Sequence, residues 1–519
     1  MMAIYNTRPI YACLGLLIAS LLTPSRTAAQ DTPYVALDDP IVRFISPLLL
    51  EGMGADSEPV SWPLPQQTLR SWMNVGQDVH SSDWMTETMA RVSDRLPPAL
   101  SESTSISTLA RTGIRLSTQD RRDLLYWQDA DEISWQPMLQ TTTWLKAGSW
   151  TAALGLRFDR YYEIDPDGLD AVHRWLSRSE NAFLARNGEH VSFFLGRAAR
   201  HWGEVGRDAL ILSDNARPFD HMALRFGSGR LQLETVLGEL DSFTGDRRAT
   251  GYAGADSVRS GSIRRYLSAH RLSLRATERW TIGLSHATLY SGPGSSISLK
   301  FLNPFNVALW EVDNRPKNEE NNGMVGGFLH YRGPLSRARF ELLLDDVDVL
   351  NGNEPASIAA SLSGERLLAR GAWHVSAHAT LVSGRTYNAE QAPGRFIFLD
   401  RGLGTERSDF LRFGASASWL KWSGWLIRPG FEFLLQGDQD MRGPLPNNED
   451  APFMLSGTPE RVFRPYLAVD ALMASGLDLS LNVGYNQVND HLHAEGVSIS
   501  EITASISIAY RLTGKRALK

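Results

Sequence analysis

The chain changes its pattern of apolar and polar positions once, near residue 105. Between residues 31 and 98, apolar residues recur at steps of three and four, as in "PQQTLRSWMNVGQDV" and "SSDWMTETMARVSDRL". That spacing places them on one face of an α-helix. Ser81 or Ser82 is the predicted N-cap of the second helix, and Pro97 is its predicted stop. These residues predict a small helical hairpin or bundle.

Beyond residue 105 the period falls to two, which is the period of β-strands. "GLDLSLNVGYNQV", "EITASISIAYRL", "AWHVSAHATLVSG" and "LRFGASASWLKW" all alternate in this way. Ribbons of about nine to eleven residues that end in aromatic residues are typical of transmembrane strands, whereas strands in soluble sandwiches average about five or six. Lipid offers no hydrogen-bond partners, so such strands must pair in a closed barrel. About 410 residues, at about 23 per strand and connection, predict about 18 strands.

The predicted fold is therefore mainly β: a large transmembrane antiparallel β-barrel of about 18 strands, with a small N-terminal α-helical region. Residues 105–519 are the predicted outer-membrane barrel, and residues 31–104 are a predicted periplasmic brace or plug. The strand Ile502–Tyr510 is expected to close the barrel. The basic end beyond Tyr510 is expected to form a short tail.

The first 30 residues predict a secretory signal peptide. The apolar stretch Ile10–Leu22 follows Arg8 and precedes small and polar residues, and it is too short to span a bilayer as a helix. Cleavage near Ala29 or Gln30 removes Cys13, the only cysteine, and so leaves no disulfide and no thiolate site. The expected location is the outer membrane, where a single copy is surrounded by lipid and lipopolysaccharide.

Arginine dominates the cations of this chain, with 46 arginines against 6 lysines at a net charge of −6. Genomic base composition is one explanation of this bias. The other is a use for planar guanidinium groups, which match carboxylates in geometry.

One segment, Arg197–Asp220, leaves the alternating pattern. It reads "RAARHWGEVGRDALILSDNARPFD" and gathers charged groups around the short apolar run Ala209–Leu212. An arginine on the lipid face near the bilayer midplane costs about 2–4 kcal/mol. These charges are therefore expected to point into the lumen, into a loop folded over it, or beyond the membrane. The segment is predicted to line or to plug the pore.

The same segment carries a family resemblance. "HWGEVGRDALILSDNARP", His201–Pro218, resembles the signature of the Wzi-type capsule assembly proteins of the Gram-negative outer membrane, and "FLNPFNVALWE", Phe301–Glu311, is a weaker match. The chain departs from that signature at Glu204, where the family pattern has proline, and at Asp214, where it has asparagine. The resemblance implies an outer-membrane barrel that binds extracellular polysaccharide and helps to anchor or assemble it, with no reaction and no cofactor.

The segment supplies groups suited to such a ligand. Arginines form charge-assisted bonds to uronate carboxylates, a tryptophan offers an apolar face to a sugar ring, and an amide binds hydroxyls. The alternative is an internal salt-bridged plug that only closes the barrel. The candidate ligand-binding residues are Arg197, Arg200, His201, Trp202, Glu204, Arg207, Asp214, Asn215 and Arg217.

Other functions are weakly supported by the sequence. There is no G-x-S-x-G motif, and no histidine has a sequence context that indicates a serine partner, so no enzyme is predicted. "DHLHAE" places His491 and His493 on one side of an extended segment, so a metal site is conceivable there, but a solvated loop is favoured. The acidic stretches "DPDG" and "GDQD" lack the full spacing of a calcium loop and are interpreted as exposed turns. An acidic chain without a phosphate-binding glycine loop does not favour nucleic acid or nucleotides. A diffusion porin remains the main alternative.

Overall fold

The structure is a computed structural model that describes residues 34–51, 61–77, 82–96, 104–118, 134–159, 178–188, 190–204, 206–244, 262–292, 296–306, 320–345, 357–445 and 452–518. The predicted signal peptide lies outside the described residues.

Eighteen long strands form one antiparallel sheet in the described part of the chain. They are β1 (Thr104–Ser117), β2 (Ser134–Ala147), β3 (Trp150–Asp159), β4 (Arg178–Asn187), β5 (Val191–Ala198), β6 (Phe219–Ser228), β7 (Leu231–Glu239), β8 (Ser262–Arg275), β9 (Trp280–Gly292), β10 (Glu320–Arg332), β11 (Ser336–Asp345), β12 (Ser357–Leu368), β13 (Trp373–Val382), β14 (Phe410–Trp419), β15 (Trp425–Gln436), β16 (Glu460–Leu472), β17 (Leu477–Asn489) and β18 (Ser498–Ala517). Each strand pairs with its neighbours in sequence, and β18 pairs with β1. The predicted antiparallel barrel and its strand number are confirmed.

The two faces of the barrel wall differ as the period of two predicts. Large apolar side chains project outward and are exposed. Leu284 on β9, for example, is 69% exposed. Aromatic pairs, including Trp280–Tyr331 and Trp373–Trp419, lie beside the turns that join β8 to β9 and β12 to β13. An apolar outer band bordered by aromatic residues is the surface that a membrane barrel presents to lipid.

The two ends of the barrel carry different connections. At one end, which we call the short-turn end, a few residues join β2 to β3, β4 to β5 and β6 to β7. At the other, the long-loop end, much longer connections join β1 to β2, β5 to β6 and β13 to β14. Outer-membrane barrels keep short turns in the periplasm and long loops outside the cell.

The closing strand is longer than the sequence predicted, and the expected basic tail was wrong. β18 continues past Tyr510 to Ala517, and its last residues pair with the start of β1, Ala517 with Ser105. Without this extension the first residues of β1 would have unpaired backbone groups on one side. The arginine that follows Tyr510 also has a lumenal role, because Arg511 points inward.

Four α-helices occur in the described residues: α1 (Val42–Leu50), α2 (Gln66–Gln77), α3 (Asp83–Arg95) and α4 (Leu299–Leu302). Helices α2 and α3 confirm the helical pattern, and the Ser82 side chain accepts a hydrogen bond from the Met85 amide as the N-cap. Helix α1 was not predicted, because Pro47 interrupts its sequence. None of these helices is long and apolar enough to cross a bilayer.

Short elements complete the described fold. Two-residue strands pair Tyr34–Val35 with Leu64–Pro65 and Ile397–Phe398 with Arg401–Gly402, and Phe243–Thr244 pairs with β8. Single 3₁₀ turns occupy Ala369–Gly371, Ala392–Gly394 and His491–His493.

The helical region packs into the lumen at the short-turn end. Its apolar side chains form one buried cluster with barrel residues such as Leu426 and Leu472. Ion pairs add to this contact: Arg95 Nε lies 2.7 Å from the Asp478 carboxylate, and Arg511 Nη2 lies 2.8 Å from that of Asp39. The Arg95 and Asp478 side chains are almost completely buried, so their charges compensate one another away from water.

Candidate functional site: an arginine-lined cavity in the lumen

Residues 199–204 and 206–218 of the connection between β5 and β6 fold into the lumen from the long-loop end, and we call them the inner segment. Its apolar run Ala209–Leu212 is buried in the main core cluster. The Tyr387 hydroxyl donates to the Leu210 carbonyl at 2.6 Å, and the Ser213 amide donates to the Leu403 carbonyl at 2.8 Å. The segment is thus fixed against the β13–β14 connection by its own apolar centre.

The inner segment meets the helical region inside the barrel. The Trp62 amide donates to the His201 carbonyl at 3.0 Å, and the His201 amide donates to the Trp62 carbonyl at 3.3 Å. This is an antiparallel bridge between a loop from one end of the barrel and a segment from the other. The two elements therefore support each other across the lumen.

His201 and Asp214 form an ion pair within the inner segment. His201 Nδ1 lies 2.9 Å from Asp214 Oδ1 and also 3.3 Å from the Asp214 amide, which can donate to it, and Nε2 lies 3.0 Å from the Glu204 carbonyl oxygen. Burial alone would lower the pKa of His201, but the Asp214 carboxylate beside it holds that pKa above its ordinary value.

We expect this pair to make the inner segment pH-sensitive. A raised folded-state pKa means that protonated His201 stabilises the fold below its ordinary pKa of about 6.5, and that this contribution is lost as pH rises through the folded-state pKa. The thermal unfolding midpoint should therefore fall to a lower temperature as the pH is raised from 6 to 8.5. H201N should remove most of that fall, and H190N, at an exposed histidine, should leave it intact. An equal pH dependence in both variants would contradict the expectation.

Arg200 and Trp202 are buried in the wall of the lumen. Arg200 Nε donates to His221 Nε2 at 2.7 Å, and its guanidinium lies 3.5 Å from the Glu234 carboxylate. The Trp202 ring is covered by the Arg271 guanidinium at 5.1 Å, and its side chain is only 3% exposed. Its ring face is therefore already in contact with a protein cation.

Glu204 and Arg207 bind two adjacent strands of the barrel, β12 and β13. Glu204 accepts from the Ser363 hydroxyl at 2.8 Å. Arg207 lies 2.9 Å from His378 Nδ1 and donates to the Ser376 hydroxyl at 2.9 Å. Glu204 and Arg207 thus pair with the barrel wall. The internal salt-bridged plug would instead pair the charges of the segment with one another, as His201 and Asp214 do.

The other candidates lie apart from these. Arg197 is on the outer face at the long-loop end, where it pairs with Asp220, and both side chains are exposed. Asn215 donates to the Gly402 carbonyl at 3.0 Å, and Arg217 is buried. The structure therefore brings Glu204, Arg207 and Asp214 together and separates them from Arg197.

A cavity of about 750 Å³ lies between the inner segment, the helical region and the barrel wall. Among the described residues, eleven arginines and seven carboxylates line it, together with serines, amides and two histidines. Glu204, Arg207 and Asp214 are among the lining residues. The excess of guanidinium groups gives the cavity a positive potential that favours an anionic ligand.

Most of the cavity was not found from the sequence. Arg115, Arg412 and Arg464 come from β1, β14 and β16 and line the same space as Arg207. Their only signal in the sequence is an arginine at a lumen-facing position of an alternating strand. The arginine bias, for which base composition was one explanation, thus has a structural use.

Comparison with known proteins relates the chain to one family. Residues 131–348 match the model of the family described as capsule assembly protein Wzi. The family resemblance noted in the sequence is therefore confirmed over this region. The region contains both the inner segment and the Asn-Pro stretch after β9, which carried the resemblance.

One solved structure shares the fold, and others align with lower similarity. Escherichia coli Wzi, described as an outer-membrane protein involved in group 1 capsule assembly and a carbohydrate-binding β-barrel, aligns over 92% of this chain and 98% of its own, with TM-score 0.59 and 13% identity. The Pseudomonas aeruginosa protein OpdO aligns over 79% of this chain and 97% of its own, with TM-score 0.45 and 11% identity. The Acinetobacter baumannii outer-membrane channel DcaP aligns over 79% of this chain and 96% of its own, with TM-score 0.37 and 11% identity. No curated protein matches the chain in sequence.

Proposed function

We propose that this protein binds acidic surface polysaccharide and helps to anchor or assemble it at the cell surface. The observation that carries the proposal is the arginine-lined cavity, since eleven guanidinium groups exceed the seven carboxylates that share it. The match of residues 131–348 to the Wzi family model supports the same function. So does the carbohydrate binding by which Escherichia coli Wzi is described.

The cavity offers the groups that an acidic polymer requires. Guanidinium groups bind uronate carboxylates through paired, charge-assisted hydrogen bonds. Gln136, Tyr466 and Asn482 add amide and hydroxyl groups that suit sugar hydroxyls. Gln136 and Arg115 lie near the ends of β2 and β1 at the long-loop end, so a polymer outside the cell can reach them.

The candidate residues divide by role under this proposal. Glu204, Arg207 and Asp214 line the cavity and contact the ligand. The buried Arg200, His201, Trp202, Asn215 and Arg217 hold the inner segment in place, and Arg197 lies at the outer rim.

The surroundings proposed for the barrel follow from its outer surface. It acts as a monomer among lipid and lipopolysaccharide, and the helical region is a brace or plug on the periplasmic side. Binding the polymer requires no cofactor, no nucleic acid and no chemical step.

The described lumen favours a binding protein over a diffusion porin. An open pore requires a continuous water path, whereas the inner segment and the helical region meet inside this barrel through the Trp62–His201 bridge. Conductance is therefore expected to be absent or small.

The test compares one polysaccharide in two charge states. We expect the purified protein to bind a uronate-containing polysaccharide at least tenfold more tightly than the same polymer with its carboxyl groups reduced. The difference should shrink as salt is raised from about 50 to 300 mM, because salt screens exposed charges. Surface plasmon resonance measures both. Equal affinity for the two polymers, or large steady conductance steps in a planar bilayer, would contradict the proposal.

A further inference from the structure

Beyond polysaccharide binding, the outer wall of the barrel carries a second group of polar residues. On β8, Leu272 and Leu274 face outward and are exposed, as expected of a lipid-facing strand. Ser268 and His270 share that face, because they lie four and two residues from Leu272, yet they are only 1% and 2% exposed. Polar and ionisable side chains at membrane depth are rare and usually functional.

A segment of the β9–β10 connection covers them. Residues 296–306, which we call the outer strap, lie against the outside of β7, β8 and β9 and include α4. Phe301 stacks on Tyr290 with ring centroids 4.2 Å apart, within a buried cluster that also includes Tyr266. Leu299 and Phe305 point away from the wall and are 64% and 83% exposed. Such an apolar outer surface indicates that the strap faces lipid.

Beneath the strap, three side chains form a hydrogen-bonded chain. Ser268 Oγ lies 3.0 Å from His270 Nε2, and His270 Nδ1 lies 2.9 Å from Thr235 Oγ1. Thr235 is on β7, directly opposite His270 in the sheet. A hydroxyl in contact with an imidazole whose second nitrogen is held by a third group is the arrangement of a serine nucleophile, its base and the group that orients the base.

We propose that Ser268 and His270 form a latent acyl-ester hydrolase site for membrane lipids, oriented by Thr235 and closed by the outer strap. This departs from the sequence-based prediction of no enzyme. That prediction rested on finding no serine partner for any histidine, whereas Ser268 and His270 share one face of a strand.

The closed state explains why the site is latent. The Phe301 carbonyl accepts a hydrogen bond from Ser268 and lies 2.9 Å from His270 Nε2. A carbonyl at that position favours the tautomer with a proton on Nε2, and Thr235 then donates to Nδ1. In this tautomer His270 cannot accept the serine proton. Withdrawal of the strap frees Nε2 and allows Nδ1–H to donate to Thr235 instead.

In the open state the reaction is an ordinary acyl transfer. Ser268 Oγ attacks the carbonyl carbon of a lipid ester while His270 Nε2 takes the hydroxyl proton. His270 gives that proton to the departing alcohol oxygen as the ester C–O bond breaks, which leaves an acyl group on Ser268. Water then attacks the acyl-serine while His270 Nε2 takes a proton from it, and His270 gives that proton to Ser268 Oγ as the acyl C–O bond breaks and the fatty acid leaves.

A second histidine, His286, lies beside the proposed hydrolase site. Its ring lies 4.6 Å from the His270 ring, and its buried Nδ1 has no hydrogen-bond partner among the described residues. Because His286 Nε2 lies 3.2 Å from the Pro304 carbonyl, the ring proton is on Nε2, and Nδ1 is left as an acceptor for the water that enters the reaction. The exposed apolar side chains of Leu272 and Leu274, on the same face of β8, offer a surface on which acyl chains can pack.

The test opens the strap without touching the reacting groups. F301A removes the stacking on Tyr290, and L299A is a matched control because Leu299 is on the strap but points outward. With the full-length protein in lipid vesicles, we expect F301A to react at least tenfold faster than the parent or L299A with a fluorophosphonate probe, which labels activated serines. Faster tryptic cleavage after Lys300 reports that the strap has opened, and heat modifiability on gels reports a folded barrel.

Further variants identify the residues that react. In the F301A background, S268A should abolish labelling and the release of fatty acid from phospholipid, and H270N should slow both about a hundredfold. T235V should slow them and T235S should restore them, as expected of a positioning residue. A strap that opens while Ser268 stays unlabelled would show that the polar cluster only holds the strap. A strap that resists trypsin in both F301A and F301A/Y290A would equally contradict the proposal, because a site that never opens cannot turn over.

Discussion

Replacing Arg207 and Arg412 together by alanine is expected to weaken binding of an acidic polysaccharide by about a hundredfold or more. Both side chains line the cavity, and both lie beside the His378–Glu432 pair, in which His378 Nε2 is 3.1 Å from the carboxylate. Each lost charge-assisted bond is worth about 1.5–3 kcal/mol, and about 1.4 kcal/mol changes affinity tenfold. Affinity for a uronate-containing polysaccharide measures the effect.

Two control variants separate binding from structure in this experiment. R207K/R412K keeps the charges but removes the guanidinium forks, so it should retain part of the affinity. R217A removes a buried arginine of the same segment and should lower stability instead. Unchanged affinity in R207A/R412A, together with lower stability or new bilayer conductance, would leave the inner segment as a plug only.

The second large effect is expected at the contact between the helical region and the barrel. R95A removes the nearer cation of buried Asp478 and leaves only Arg511, 3.6 Å away and shared with Asp39. Breaking a buried ion pair costs about 3–5 kcal/mol when the remaining charge has no other partner, so this range is the upper limit here. Arg95 also donates to the Met473 and Leu477 carbonyls, which lose a partner as well. The helical region should therefore become sensitive to protease while the barrel remains heat-modifiable.

The matched control is an ion pair near the surface of the same region. Asp38 pairs with Arg157 at 3.1 Å, but its side chain is 43% exposed. D38A should change stability by less than about 1 kcal/mol, because exposed pairs contribute little. Equal protease sensitivity in R95A and D38A would show that the buried pair does not hold the helical region in place.

The barrel was predictable because its signal is local. Alternation of apolar and polar residues, as in β17, reports which face of a strand meets lipid, and closure follows from the lack of hydrogen-bond partners in the bilayer. The helices α2 and α3 and the cap at Ser82 were likewise readable from spacing. The end of β18 was not, because the residues beyond Tyr510 are basic and only their pairing with β1 makes them a strand.

The candidate site was predictable only in part. The sequence singled out the inner segment because its charges are incompatible with a lipid face, and Arg207 and Glu204 do line the cavity. It could not exclude Arg197, whose outward direction at the rim depends on where β5 ends. Nor could it show that Trp202 is covered by Arg271, since those residues meet through folding and not through spacing.

The sequence by itself determined the period of the strands, the compartment they require and the one segment that leaves the pattern, because these depend on neighbours along the chain. The tertiary structure alone decided which side chains share a space. Arg412 meets Arg207 in the cavity only because the inner segment folds inward, and Thr235 reaches His270 only through the register of β7 and β8. Alternation assigns each residue a face, but register and loop direction assign its neighbours, and chemistry in this protein depends on those neighbours.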